Sequence, residues 1–127
     1  MRTIASGLLL TALLLGAHEA RATSPARSSA AVPRLIDLGA GKCIPCKAMA
    51  PILEQLKKDY AGKLDVRFID VWKDRQQAET YAINMIPTQI FYDASGRELG
   101  RHEGFIGREE ILTRFEQLGV KLPASSH

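Results

Sequence analysis

The sequence is short of cysteine, aromatic residues and long apolar runs, and each shortage excludes a class of protein. Two cysteines in 127 residues are too few for a small domain held together by several disulfides. Aromatic residues make up 6% of the chain, and the lysines and arginines are scattered, which argues against a nucleic-acid-binding surface. No apolar run reaches the roughly 20 residues that a membrane-spanning helix requires.

The first 22 residues nevertheless have the pattern of a secretory signal peptide. Arg2 supplies a short positive segment, an apolar stretch covers residues 4–17, and Ala20-Arg21-Ala22 has the small-x-small pattern of a cleavage site. We therefore expect export, to the bacterial periplasm, with cleavage after Ala22. The alternative is an uncleaved signal that anchors the protein in the membrane. A lipoprotein is disfavoured, because no cysteine lies near the cleavage site.

The remainder of the chain is long enough for one domain. Residues 23–33 are small, polar and proline-bearing, which predicts a flexible leader. We place the domain at residues 34–119 and a C-terminal tail at residues 120–127. The formal charge falls from +3 for the whole chain to +2 after removal of the signal, because Arg2, Glu19 and Arg21 leave with it. This weak positive balance gives no indication of a polyanionic partner.

Hydrophobic periodicity and turn residues predict the element order βαβαββα. The predicted elements are strands at residues 34–38 and 64–71, helices at 43–60, 75–83 and 108–118, and two strands around a turn at 93–96. Strands joined by helices pair in parallel, whereas a hairpin adds antiparallel strands. We therefore predict an α/β fold with a mixed four-stranded sheet and helices on both faces.

The first predicted helix has a clear apolar face. The residues that recur at spacings of three and four are Met49, Ala50, Leu53, Leu56 and Tyr60. Pro51 interrupts this helix and is predicted to kink it.

The two cysteines, Cys43 and Cys46, stand at the start of this helix, and three roles are open to them. A structural disulfide across two residues closes a very small loop and removes little entropy from the unfolded chain. A metal site needs about four ligands, and the other soft donors of the mature chain are His102, His127 and a few methionines. We therefore predict no bound metal and no cofactor. The third role is that of a redox reagent.

Position supports the redox role. Cys43 lies at the helix N-terminus, where unpaired backbone N–H groups and the helix dipole stabilise a thiolate, and Lys42 adds positive charge. Cys46 lies one turn further, on the apolar stripe with Met49, where it should be shielded. Pro45 falls in the first turn, where its fixed φ favours the helix. We therefore expect Cys43 to be the attacking sulfur and Cys46 the resolving one.

Three segments together resemble the thioredoxin family, and the likeness covers nearly all of residues 34–119. They are "LIDLGAGKCIPCKAMAPILEQL", "INMIPTQIFYDASG" and "GRHEGFIGREEI". In that family a CxPC motif opens a helix kinked by a proline, which Pro51 matches. Ile86-Pro87-Thr88 matches the family's cis-proline segment, and Gly104 matches a glycine of the next strand. The resemblance implies a thioredoxin-like fold and a thiol-disulfide oxidoreductase acting on disulfide-containing proteins, with Pro87 in cis beside the cysteines.

The resemblance also gives a role to Asp37, six residues before Cys43. Many thioredoxins carry a buried acid beneath the sulfurs at this position. Desolvation should raise the pKa of such a carboxyl, so that it accepts the proton of Cys46 as that sulfur attacks. The alternative is that Asp37 only caps a strand end in partial solvent.

Two departures from the family pattern are evident. Thioredoxins usually have Trp before the first cysteine and Gly after it, whereas this chain has Lys42 and Ile44. The basic strand residue that often accompanies the buried acid is replaced by Phe68. We expect a substrate-binding surface formed by Lys42, Ile44, Pro45, Ile86, Gly104 and Phe105. Burial of Phe105 in the core is the alternative for that residue.

The leading functional hypothesis is an exported reductase of protein disulfides, acting as a monomer. The resemblance and the compartment imply that a membrane thiol-reducing partner regenerates it. Two alternatives stay open: a disulfide-forming oxidase with the same chemistry in reverse, and a non-enzymatic Cu(I) carrier, because two thiolates suffice for a linear Cu(I) site.

Overall fold

A computed structural model of the chain describes residues 31–125. The predicted signal peptide and residues 23–30 of the predicted leader lie outside the described residues. The elements are β1 (Arg34–Gly39), α1 (Ile44–Asp59), β2 (Asp65–Asp70), α2 (Arg75–Thr80), β3 (Thr88–Tyr92), β4 (Glu98–Glu103) and α3 (Arg108–Gln117). Within residues 31–125, no helix has the length and apolar character needed to cross a bilayer.

The four strands form one mixed sheet in the order β2-β1-β3-β4. β1 and β2 are parallel, as expected for strands joined by the helix α1, and the other two pairs are antiparallel. The turn between β3 and β4 is closed by Asp93, whose carboxylate accepts hydrogen bonds from the backbone N–H groups of Ser95 and Arg97. The predicted element order and the mixed sheet are confirmed.

Helices cover both faces of the sheet, because side chains alternate along each strand. Leu35 of β1 packs with residues of α1 and α3, including Phe115. Ile36 and Leu38 point to the opposite face and pack against the α2 region, including Ala78. The face covered by α1 and α3 carries the larger core, and the functional residues of β1 lie on it.

Helix α1 follows the predicted stripe at most positions. Cys43 caps the helix, and Met49, Leu53 and Leu56 are buried against the sheet. Ala50, which the periodicity placed on the same face, is exposed. This part of the prediction was wrong, because position 50 lies about 100° around the helix from Met49, at the margin of the buried face.

Several boundaries differ from the sequence prediction. Helix α2 ends at Thr80 rather than at residue 83, because Ala82 adopts a φ of 48°, which no helix accommodates. Beyond α3, Gly119 takes a φ of 82° and the Val120 N–H donates to the Phe115 carbonyl, which closes the helix end. Val120 and Leu122 then pack against the core, so the packed structure extends past the predicted domain boundary at residue 119.

Candidate active site

The cysteine-bearing loop is tied to the end of β2 by Asp70. One Asp70 carboxylate oxygen accepts the Gly41 N–H at 3.1 Å, and the other accepts the N–H groups of Trp72 and Lys73 at 3.0 and 3.2 Å. Desolvation opposes the charge, but the three N–H donors outweigh it, so the pKa of Asp70 lies below its ordinary value. Asp70 thereby fixes the loop before Cys43 against the loop that follows β2.

Cys43 and Cys46 form a disulfide across the first turn of α1, with their Cα atoms 5.2 Å apart. The Cys43 sulfur also caps the helix, because it accepts the Cys46 N–H at 3.4 Å. The two residues differ in exposure: Cys43 is half-buried, whereas Cys46 is only 3% exposed. Cys43 is therefore the more accessible residue of the pair, and Cys46 is shielded as the sequence predicts.

Gly39 lets the helix start pack directly onto β1. A Cβ at position 39 would lie 3.1 Å from the Cβ and 3.3 Å from the sulfur of Cys46, and 3.0 Å from Cε2 of Phe68. A side chain larger than glycine would therefore displace one of these neighbours. Cys46 is shielded by this close approach to the strand as well as by its place on the helix stripe.

Asp37 lies two residues before Gly39, on the same face of β1. Its neighbours across the sheet are Phe68 on β2 and Gln89 on β3, and His102 on β4 stands opposite Gln89. The Asp37 side chain is completely buried. Desolvation raises its pKa to about 6, and the hydrogen bond from Gln89 acts in the opposite direction.

This burial excludes the alternative in which Asp37 caps a strand end in partial solvent. The expected replacement of a basic neighbour by Phe68 is confirmed in the register of β1 and β2. Gln89, which was not predicted from the sequence, donates its amide N–H to Asp37 Oδ1 at 2.7 Å. The available signal was a single amide residue inside the otherwise apolar run of β3, two positions after Pro87.

The segment before β3 lies next to the end of β4. The Ile86–Pro87 peptide bond is cis, which is the conformation that the resemblance implies. The Pro87 carbonyl accepts the Gly104 N–H at 2.8 Å. Gly104 has a φ of 95°, a left-handed conformation that favours glycine.

Four large apolar side chains are exposed at this end of the sheet, on the loops and at the first residue of α1, and we call them the apolar rim. They are Ile44, Trp72, Met85 and Phe105, and they are 50% to 83% exposed. The exposure of Phe105 excludes its assignment to the core. Trp72 and Met85 were not predicted from the sequence, although a lone Trp in a loop is a signal for a contact surface.

The remaining predicted surface residues differ in accessibility. Lys42 and Pro45 are exposed beside the cysteines. Ile86 is partly buried and packs against the core on the α2 face, so its side chain contributes less surface than predicted.

A cavity of about 290 Å³ opens beside Cys46, between α1 and β2. It is lined by Ala40, Gly41, Cys46, Lys47, Ala50, Leu53, Glu54, Lys57 and Phe68. Lys57 and Glu54 form an ion pair of 2.8 Å on this side of α1. A space of this size admits several water molecules to the neighbourhood of the inner cysteine.

Thiol-disulfide exchange is the chemistry that this arrangement supports. An accessible sulfur at a helix N-terminus, a shielded second sulfur and a buried acid with a pKa near neutrality meet at one end of the sheet. A metal at this site would have the two sulfurs as ligands only after reduction. In the part of the chain that the structure describes, no group of three or more His, Cys, Asp or Glu side chains is placed to hold a metal ion.

Comparison with known proteins agrees with this chemistry. The thioredoxin family profile matches residues 25–117. Thioredoxin C-2 of Corynebacterium nephridii is 35% identical over 88 residues, which cover 69% of this chain and 81% of that protein. A thioredoxin of Staphylococcus aureus is 37% identical over 78 residues, which cover 61% of this chain and 74% of that protein.

The fold also agrees with a solved structure described as the structure of a malarial protein. It superposes with a TM-score of 0.65 at 18% identity, over 70% of this chain and 99% of that one. At this identity the likeness concerns the fold alone. Because the family match spans every strand and helix and both cysteines, the chain belongs to the thioredoxin family of thiol-disulfide oxidoreductases.

Proposed function

We propose that this protein is an exported reductase of disulfides in other proteins. The observation that carries the proposal is the unequal pair of sulfurs, Cys43 half-buried at the helix start and Cys46 shielded against β1 above a buried acid. In the reduced protein, the Cys43 thiolate attacks a substrate disulfide. A mixed disulfide forms, and the first substrate sulfur leaves as a thiolate with the electron pair of the broken bond.

The second step releases the substrate. Cys46 loses its proton to Asp37 and attacks the sulfur of Cys43, so that the Cys43–Cys46 bond forms as the mixed disulfide breaks. The second substrate sulfur leaves as a thiolate and takes a proton from solvent. The protein dithiol is oxidised and the substrate disulfide is reduced, and the disulfide-bonded pair in the structure is the product of this step.

The surroundings of the pair favour reduction over oxidation. A strong oxidant needs a strongly stabilised thiolate in its reduced form. Between the cysteines stand the uncharged Ile44 and Pro45, and Lys42 and Lys47 are exposed, where solvent screens their charge. Among the described residues, the Cys43 sulfur accepts one hydrogen bond, from the Cys46 N–H at 3.4 Å. These contacts stabilise the thiolate only moderately, which supports a reducing potential.

The apolar rim indicates the kind of substrate. Exposed large apolar side chains around a reactive group provide contact with apolar segments of another protein. Such segments are accessible in incompletely folded proteins. We therefore infer that the substrates are proteins with disulfides in exposed apolar segments.

Export and regeneration follow from the N-terminal pattern. The apolar stretch at residues 4–17 and Ala20-Arg21-Ala22 support secretion to the periplasm. An exported reductant has no access to cytosolic thiols, so a membrane thiol-reducing partner has to supply its electrons. We infer that the mature protein acts as a monomer.

Cleavage of the signal is directly testable. When the full chain is produced in a bacterium, we expect N-terminal sequencing of the periplasmic fraction to give Thr23 as the first residue. Membrane-bound protein that retains residues 1–22 would establish the anchored alternative. Full-length protein found only in the cytosol would contradict export.

The roles of the two cysteines predict different trapping behaviour. The Cys46→Ser variant should accumulate a mixed disulfide with oxidised insulin, because Cys43 still attacks and nothing resolves the intermediate. The product is measured by non-reducing mass spectrometry. Cys43→Ser is the matched control and should trap at least about tenfold less. Equal trapping by both variants would contradict the assignment.

Asp37→Asn should make the protein more stable and less active. Asp37 ionises at about pH 6 in the folded protein, against 3.8 as its ordinary value, so stability is lost as pH rises through this window. The Asp37→Asn variant has no carboxyl group to ionise at this position, so it does not lose stability in this pH range. We expect it to gain up to about 3 kcal/mol at pH 7.5 and nothing at pH 3, by urea unfolding of the oxidised form.

Activity should change in the opposite direction. Insulin reduction by Asp37→Asn at pH 7 should fall by about ten- to a hundredfold, because the resolving thiol loses its proton acceptor. An unchanged rate, with the stability gain present, would show that Asp37 is buried without acting in turnover. A variant that is less stable at pH 7.5 would contradict the raised pKa.

A further inference from the structure

We propose that Gln89 is a positioning residue, which holds the Asp37 carboxylate by one oxygen and leaves the other oxygen free to take the proton of Cys46. This inference rests on the proposed role of Asp37 as proton acceptor. It adds a residue that the family resemblance did not indicate and that acts through Asp37.

The contact between the two side chains is short and completely buried. Gln89 Nε2 donates to Asp37 Oδ1 at 2.7 Å, and both side chains are 0% exposed. The two residues stand directly opposite each other in the antiparallel pair of β1 and β3. Strand pairing holds the backbones of both residues in place, so the Gln89 amide has little freedom to move away from the Asp37 carboxylate.

The second carboxylate oxygen is available. Among the described residues, Asp37 Oδ2 has no hydrogen-bond partner. Asp37 shares its strand face with Gly39, against which Cys46 packs. Same-face neighbours on a strand are about 7 Å apart, so Asp37 stands next to the strand position on which Cys46 packs, and in the proposed step the proton passes between them through one water molecule.

The other charged and titratable groups around Asp37, among the described residues, do not hydrogen-bond to its carboxylate. On α1, Lys47, Glu54 and Lys57 line the cavity beside Cys46, and Asp37 is not among the residues that line it. From β4, His102 stands one strand further, opposite Gln89, and its Nε2 pairs with the Phe105 carbonyl at 3.2 Å. On β2, Asp70 at the strand end is engaged by backbone N–H groups. Within residues 31–125, Gln89 is thus the side-chain donor to Asp37.

A neutral amide suits this task better than a cation or an apolar side chain. A cationic partner would hold the carboxylate ionised and make it a weak base. With no partner, desolvation alone would keep the acid protonated at neutral pH. The hydrogen bond from the Gln89 amide offsets part of the desolvation of the carboxylate. It leaves the pKa of Asp37 at about 6, close to the pH at which a general base is most effective.

The test uses Gln89→Met, which keeps the volume of the side chain and removes the amide. We expect the pKa of Asp37 in the oxidised protein, followed by carboxyl NMR, to rise by about one to two units. The acid limb of the pH profile of insulin reduction should move upward by a similar amount. Activity at pH 9 should stay within about twofold of the wild type, because Asp37 is then ionised in both proteins.

The chain offers a matched control in a second glutamine–aspartate pair. Gln55 Nε2 donates to Asp59 Oδ1 at 2.9 Å on the distant part of α1, and Gln55→Met should leave the Asp37 pKa and the pH profile unchanged. Gln89→Leu repeats the measurement if the Met variant does not fold.

Three outcomes separate the inference from the function on which it rests. An Asp37 pKa that stays within about 0.3 units of the wild type in the Gln89 variants overturns the inference. A raised pKa with an unmoved pH profile retains the contact but contradicts Asp37 as the proton acceptor. Parallel shifts in both measurements support both claims.

Discussion

The burial of Asp37 beneath the start of α1 is the constraint on which the rest of the site depends. A carboxylate without solvent is stable only as an acid or with a partner, and here its partner is the neutral Gln89 at 2.7 Å. Ionisation of the Asp37 carboxyl, at the centre of the sheet, is therefore unfavourable in the folded protein. The same arrangement puts a carboxyl group with a pKa of about 6 on the face of β1 against which Cys46 packs, which is the position that the proposed proton transfer requires.

The site residues lie together because the segments that carry them meet the sheet at one edge. The cysteine loop follows β1, the Asp70 and Trp72 loop follows β2, Pro87 precedes β3 and Gly104 follows β4. Because β3 is antiparallel to β1, its start lies at the same edge as the end of β1. Gly39 then allows the first turn of α1 to rest on the strand. The cysteine pair is thus fixed by backbone contacts, while the apolar rim at this edge of the sheet remains exposed.

The element order and the unequal shielding of the two cysteines were predictable from the sequence, because periodicity and helix position are local properties. The burial of Asp37 was also predictable from its place in an apolar strand. Gln89 was not, because its partner is 52 residues away and only the strand register brings the two together. Trp72 and Met85 were missed for the same reason, since nothing local indicates that their loops lie at the sheet edge where β1 ends. Ala50 shows the limit of periodicity, which does not separate the centre of a helix face from its margin.

The redox potential of the Cys43/Cys46 pair tests the central claim most directly, because it sets the direction of exchange. It is measured by equilibrating the protein with glutathione of known composition and counting free thiols. The moderate stabilisation of the Cys43 thiolate predicts a potential near that of reducing thioredoxins, about −270 mV. A value near −120 mV, typical of a strong disulfide-forming oxidant, would contradict the assignment as a reductase.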